Sequence, residues 1–109
     1  MITWEEFEKV EIRVGTIVEA SDFPEARRPA YKIKVDLGEI GIKKSSAQVT
    51  DLYRKEDLIG KQVLCVCNFP PKQVGKYMSE ILVTGFYNEE NKVVLSTVDM
   101  KVPNGSLLR

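Results

Sequence analysis

The chain has 109 residues, 43% of them hydrophobic, with 16 basic and 16 acidic side chains and no histidine. That length suits one domain with a single core. The longest apolar runs fall far short of the roughly 20 residues that span a bilayer, and the lack of histidine removes the commonest general base and metal ligand.

Thr3 is followed three residues later by Glu6, the pattern of a capping box, and Trp4, Phe7 and Val10 recur at helical spacing. A short amphipathic helix is expected within residues 1–10, with Trp4 and Phe7 either plugging the core or facing a second subunit. The acidic residues Glu5, Glu6 and Glu8 close to Met1 do not fit a signal peptide, so the expected location is cytoplasmic. Strand one follows, with Ile12, Val14, Thr16 and Val18 on one face and Gly15 where a strand bulges or bends.

After a Pro-rich loop, Tyr31, Ile33, Val35 and Leu37 alternate with Lys32, Lys34 and Asp36, which defines strand two. Ile40 and Ile42 resume the alternation, making a hairpin with strand three, which leads into Lys43, Lys44, Ser45 and Ser46. Between Thr50 and Ile59 a short helix is expected, capped by Thr50 or Asp51 and ended by Gly60. Strand four is the apolar run from Lys61 to Phe69; its Cys65 and Cys67 read as buried reduced thiols.

Pro70 to Tyr77 reads as a stiff connection with a bend at Gly75. Strand five spans Ser79–Tyr87, "NEEN" forms a hairpin turn, and Lys92–Val98 is strand six. A tail over residues 99–109 contains Asn104-Gly105-Ser106, a turn that happens to match a glycosylation sequon. Short antiparallel strands need closure to hide their edges, and a helix between strands three and four is the mark of a five-stranded Greek-key barrel. The expected class is all-β, an OB-fold with a terminal helix and a C-terminal extension, and a β-sandwich is its competitor.

Charge is uneven along the chain. Residues 1–26 hold 2 cations and 7 carboxylates, whereas residues 27–76 hold 11 cations and 5 carboxylates. Arg27, Arg28, Lys43, Lys44, Lys72 and Lys76 fall in predicted loops or strand ends, interleaved with Tyr31, Tyr53, Tyr77 and Phe69. Cations beside aromatics suit phosphate contacts and base stacking. A Ser46–Lys44 hydrolase is a poorer reading, since no histidine supports the serine; no catalytic residue, metal or cofactor is expected.

The stretches "EIRVGTIVEASDFPEARRPAYKIKVDLG", "GIKKSSAQVTDLY", "NFPPKQVGKYMSEILVTG" and "VPNG" together resemble the CsaA family, a branch of the EMAP-II-like tRNA-binding domains. The resemblance covers nearly the whole chain in order. It implies an OB-fold, a homodimer closed by elements at the chain ends, tRNA binding, and a chaperone role toward unfolded or pre-export polypeptides. It also implies a binding surface at Arg27, Ser45, Ser46, Gln48, Asn68, Pro71, Lys72, Ser79 and Glu80. Trp4, Phe7, Leu107 and Leu108 are the apolar groups expected at the dimer interface. Where general tRNA-binding domains follow the serine with Gly and Met, this chain has Glu80 and Ile81, which suggests that Glu80 receives a peptide amide or a basic side chain.

Overall fold

The computed structural model describes all 109 residues. Helix α1 (Trp4–Glu8) carries the expected capping box: the Thr3 hydroxyl accepts the Glu6 amide and the Glu6 carboxylate accepts the Thr3 amide. Strand β1 (Ile12–Asp22) pairs with β2 (Tyr31–Asp36), which pairs with β3 (Ile42–Ala47); the early half of β1 pairs with β4 (Gln62–Val66). With β7 (Leu82–Val83) beside β4, the antiparallel sheet runs in the order β3-β2-β1-β4-β7. This is the nearly closed barrel expected of an OB-fold.

Helix α2 (Lys55–Leu58) lies between β3 and β4, as the fold requires, but it is one turn long. Thr50 and Asp51 stand outside it, and Arg54 occupies the N-cap position without a side-chain cap. Leu58 explains why the turn is kept: its side chain is fully buried in the core with Ile17, Ile33, Val35, Leu37, Val63 and Cys65.

Two local rules decide the sheet. Alternation in β2 places Tyr31, Ile33 and Val35 inside, as period two predicts. In β1 the register shifts between Ile17 and Glu19, so Ile17 is buried and Val18 is exposed. The expected single face through Val18 is therefore broken by a bulge. Gly15 permits the tight packing next to it: a Cβ there would collide with the Val35 side chain and meet the Asp36 carbonyl at 2.9 Å.

Residues 38–40 form a turn of 3-10 helix, so β3 begins at Ile42, and Ile42 itself is exposed. The predicted Pro70–Tyr77 connection is largely strand: β5 (Lys72–Val74) and β6 (Tyr77–Ser79) form a hairpin around Gly75, whose φ is +62°. Strand five is likewise divided among β6, β7 and β8 (Gly85–Tyr87), and strand six shortens to β9 (Val93–Leu95), paired with β8. The C-terminal tail returns along β1, with the Leu108 amide donating to the Ile12 carbonyl and the Gly105 amide to the Val14 carbonyl.

Candidate nucleic-acid interface

The barrel has no complete backbone ladder between β3 and its fifth strand. Closure falls to residues 79 and 80: the Glu80 amide donates to the Lys44 carbonyl at 2.8 Å, and the Lys44 amide donates to the Glu80 carboxylate at 3.0 Å. Next to this reciprocal pair, the Ser46 amide reaches the Ser79 hydroxyl at 3.4 Å, and that hydroxyl donates to the Ile81 carbonyl at 3.3 Å. Side-chain acceptors thus occupy donors that an adjacent strand ordinarily takes. The amide that Glu80 receives is that of Lys44 in its own chain, a scaffold contact rather than a ligand contact.

Beside this clasp lies an open groove of about 1160 Å³, bounded by the Arg27–Pro29 loop, the end of β3, the β5–β6 hairpin and the β7–β9 arc. Arg27, Arg28, Ser46, Gln48, Lys72, Ser79 and Glu80, all expected site residues, line it. No salt bridge engages Arg27, Arg28 or Lys72; the ion pairs lie elsewhere, at Arg13–Glu11, Lys34–Glu19, Arg54–Asp57 and Lys55–Asp22. Their charges remain available to a ligand. Phe69, 55% exposed, and Tyr87, 75% exposed, add apolar surface to the same groove.

Other expected site residues have different surroundings. Ser45 is 1% exposed, and its hydroxyl donates to the Ser46 carbonyl inside the barrel. Lys43 shares the inward face of β3 with Ser45 and Ala47. Lys44 points outward with its ammonium 5.3 Å from the centre of the Tyr77 ring, and no Ser46–Lys44 hydrogen bond forms. The Asn68 carboxamide accepts the Glu11 amide at 2.9 Å and donates to the Lys9 carbonyl at 2.6 Å, which fastens the junction of α1 and β1. Pro71 and Lys76 are exposed on the approach to the β5–β6 hairpin and at its turn.

Three of the four aromatics expected to stack on bases are used internally. Tyr31 donates its hydroxyl to the Tyr53 carbonyl, Tyr53 accepts the Leu95 amide, and Tyr77 donates to the Ile33 carbonyl. Burial first, then the Glu19 and Glu80 carboxylates, push the Tyr77 hydroxyl above its ordinary pKa. Phe69 alone of the four is both exposed and in the groove. Tyr87 was not among the expected residues; an aromatic at the mouth of the "NEEN" turn was its only local signal, since its place in the groove depends on how the last hairpin folds back.

At the chain ends, Trp4 is 73% exposed and packs edge-on against Phe7 at 5.7 Å, so Trp4 does not plug the core. The Arg109 guanidinium lies 5.7 Å from the centre of the Phe7 ring, and Leu107 bridges to Arg13. Leu107 and Leu108 are exposed, leaving both termini on one partly apolar side.

Residues 12–107 match the family model described as "Putative tRNA binding domain". The crystal structure of chaperone CsaA from Bacillus anthracis is 46% identical and superposes with a TM-score of 0.94 over 100% of this chain and 99% of that one. The CsaA chaperone protein of Picrophilus torridus is 47% identical, with a TM-score of 0.93 and full coverage of both chains. Methionine–tRNA ligase of Methanocaldococcus jannaschii is 35% identical over 102 residues, 94% of this chain. The chain spans only 15% of that ligase's length.

Proposed function

Because the chain belongs to the tRNA-binding domain family, and to its CsaA branch over its whole length, we propose that it binds tRNA through phosphates held along the rim of this groove. The observation that carries the reading is the set of Arg27, Arg28 and Lys72, three cations without a carboxylate partner on one concave surface. Ser46 and Gln48 add polar groups for sugar hydroxyls, and Phe69 and Tyr87 offer faces to unstacked bases. Lys76, at the hairpin turn, extends the positive rim, whereas Ser45 and Asn68 act through the scaffold.

Two copies of the chain meet through the side formed by Trp4, Phe7, Leu107 and Leu108. Exposed apolar groups gathered from both termini support this arrangement, and a two-fold interface would cover them while presenting two grooves. Light scattering coupled to size exclusion should give twice the chain mass; a monomer mass removes the dimer from the reading.

The test of RNA binding is tRNA affinity over a salt series, for the native chain and for a Arg27→Ala, Arg28→Ala, Lys72→Ala variant. Each lost phosphate contact lowers the slope of log K against log salt by about 0.7–0.9, so the variant should lose roughly 2–3 units of slope. Unchanged affinity and slope would show that tRNA does not use the groove. Phe69, Leu82 and Tyr87 favour a second reading, in which the same groove holds an unfolded polypeptide as a chaperone does. Binding of that kind should respond weakly to salt.

A further inference from the structure

The groove that gathers unpaired cations also contains two carboxylates, and they differ in one respect. Asp51 is exposed in the turn after β3, and its side chain makes no hydrogen bond or ion pair. Glu80 is half-buried and cannot swing aside without uncovering the Lys44 amide, to which it is bonded at 3.0 Å while its own amide holds the Lys44 carbonyl at 2.8 Å. Its negative charge is therefore fixed at the β3 wall. A phosphate oxygen is an acceptor of the same kind as a carboxylate oxygen, so the amide that would welcome a phosphate at that wall is already taken.

We propose that Glu80 is a specificity-determining residue that keeps phosphates away from the β3 wall and confines them to the Arg27, Arg28 and Lys72 rim. The inference rests on the tRNA reading of the groove. It assigns Glu80 a role opposite to that of a ligand-binding group: an internal anion that fills the donor position and repels its competitor. The half-buried location matters, because salt screens such a charge less than it screens one in open solvent.

Glu80→Gln tests this, since the amide oxygen can still accept from Lys44 while the charge is gone. Asp51→Asn removes an exposed, unpaired charge from the same groove. With tRNA as the probe at low salt, Glu80→Gln should tighten binding about fivefold, the factor for one like-charge contact of roughly 1 kcal/mol. Part of that gain should survive at a salt concentration where the smaller Asp51→Asn gain has vanished. Equal melting temperatures for native and Glu80→Gln protein would establish that the clasp is intact.

Unchanged or weaker tRNA binding by a folded Glu80→Gln protein overturns the inference, and leaves the groove reading standing if the Arg27, Arg28, Lys72 triple variant still loses its salt slope. If the triple variant keeps its slope, the groove reading fails first and the role of Glu80 fails with it. A gain in Glu80→Gln identical to that in Asp51→Asn at every salt concentration also overturns the proposal, because it would reflect net charge alone.

Discussion

The strands β1 to β3 and the arc from Asn68 to Leu95 build opposite sides of one barrel by different means. In the first, backbone ladders run without interruption over six residue pairs between β2 and β3, and alternate side chains fill the core. In the second, no strand exceeds three residues, and several backbone groups are satisfied by the side chains of Asn68, Ser79, Glu80 and Asn88. The regular side supplies stability through repeated small terms, while the irregular side shapes a groove and exposes cations on it. A surface made by interrupted strands can be concave without sacrificing the barrel behind it.

The contrast predicts unequal tolerance to substitution. Gly15→Val should have the largest effect, because the added Cβ meets the Asp36 carbonyl at 2.9 Å and the Val35 and Leu37 side chains closer still. A side chain can turn away, but a laddered carbonyl cannot. The expected loss exceeds about 3 kcal/mol, a large share of the roughly 5–15 kcal/mol that holds a domain. A urea midpoint within experimental error of the native value would show that β1 and β2 are less rigidly joined than their ladder implies.

The next effect is alkaline and comes from β4, which is laddered to the regular side through β1. Burial, followed by the Cys67 thiol, raises the Cys65 pKa from 9.0 to about 12. An acid whose folded pKa is raised binds its proton more tightly in the folded state, so stability is intact below pH 9 and falls as pH rises from 9 toward 12. A shift of that size corresponds to about 4 kcal/mol at its upper end. Cys65→Ala should flatten the decline in this window, and an equally steep decline in the variant would assign it to other groups.

What the sequence made legible follows the same division. Period-two alternation identified β2 because one face is wholly buried, and the capping box at Thr3 and Glu6 is a local pattern with a local cause. The β5–β6 hairpin was hidden because its pairs, Lys72 with Ser79 and Gln73 with Met78, are mostly polar, and the two prolines suggested a plain loop. Glu80 and Asn68 could not be assigned at all from neighbours in sequence: their partners lie 36 and 57–59 residues away. The groove was half visible, since Arg27, Arg28 and Lys72 are conspicuous by charge, whereas Tyr87 reaches it only through the fold of the last hairpin.

Breaking the clasp should cost less than breaking the ladder. Glu80→Ala leaves the half-buried Lys44 amide without its acceptor, worth about 1–3 kcal/mol, while the Glu80 backbone bond to Lys44 can remain. The variant should stay folded with a lower melting temperature, and amide exchange at Lys44 and Ser46 should accelerate ahead of exchange in β2. If exchange in β2 accelerates equally, the two sides of the barrel open as one unit and the distinction between them is only geometric.

The smallest effect is expected at Asn68, where the irregular arc holds the terminal helix. Asn68→Ala removes two exposed hydrogen bonds, one to the Lys9 carbonyl and one from the Glu11 amide, and should cost about 1 kcal/mol because water can replace both partners. Its consequence is local: amides in residues 4–9 should exchange faster while those of β1 are unchanged. Asn68→Asp is the sharper variant, for the carboxylate can still accept from Glu11 but has no donor for Lys9 and turns a negative charge toward that carbonyl. It should loosen α1 at least as much as alanine does. Neither substitution should alter the salt slope of tRNA binding, since the carboxamide is spent on the scaffold; a loss of slope in Asn68→Ala would return this residue to the binding surface.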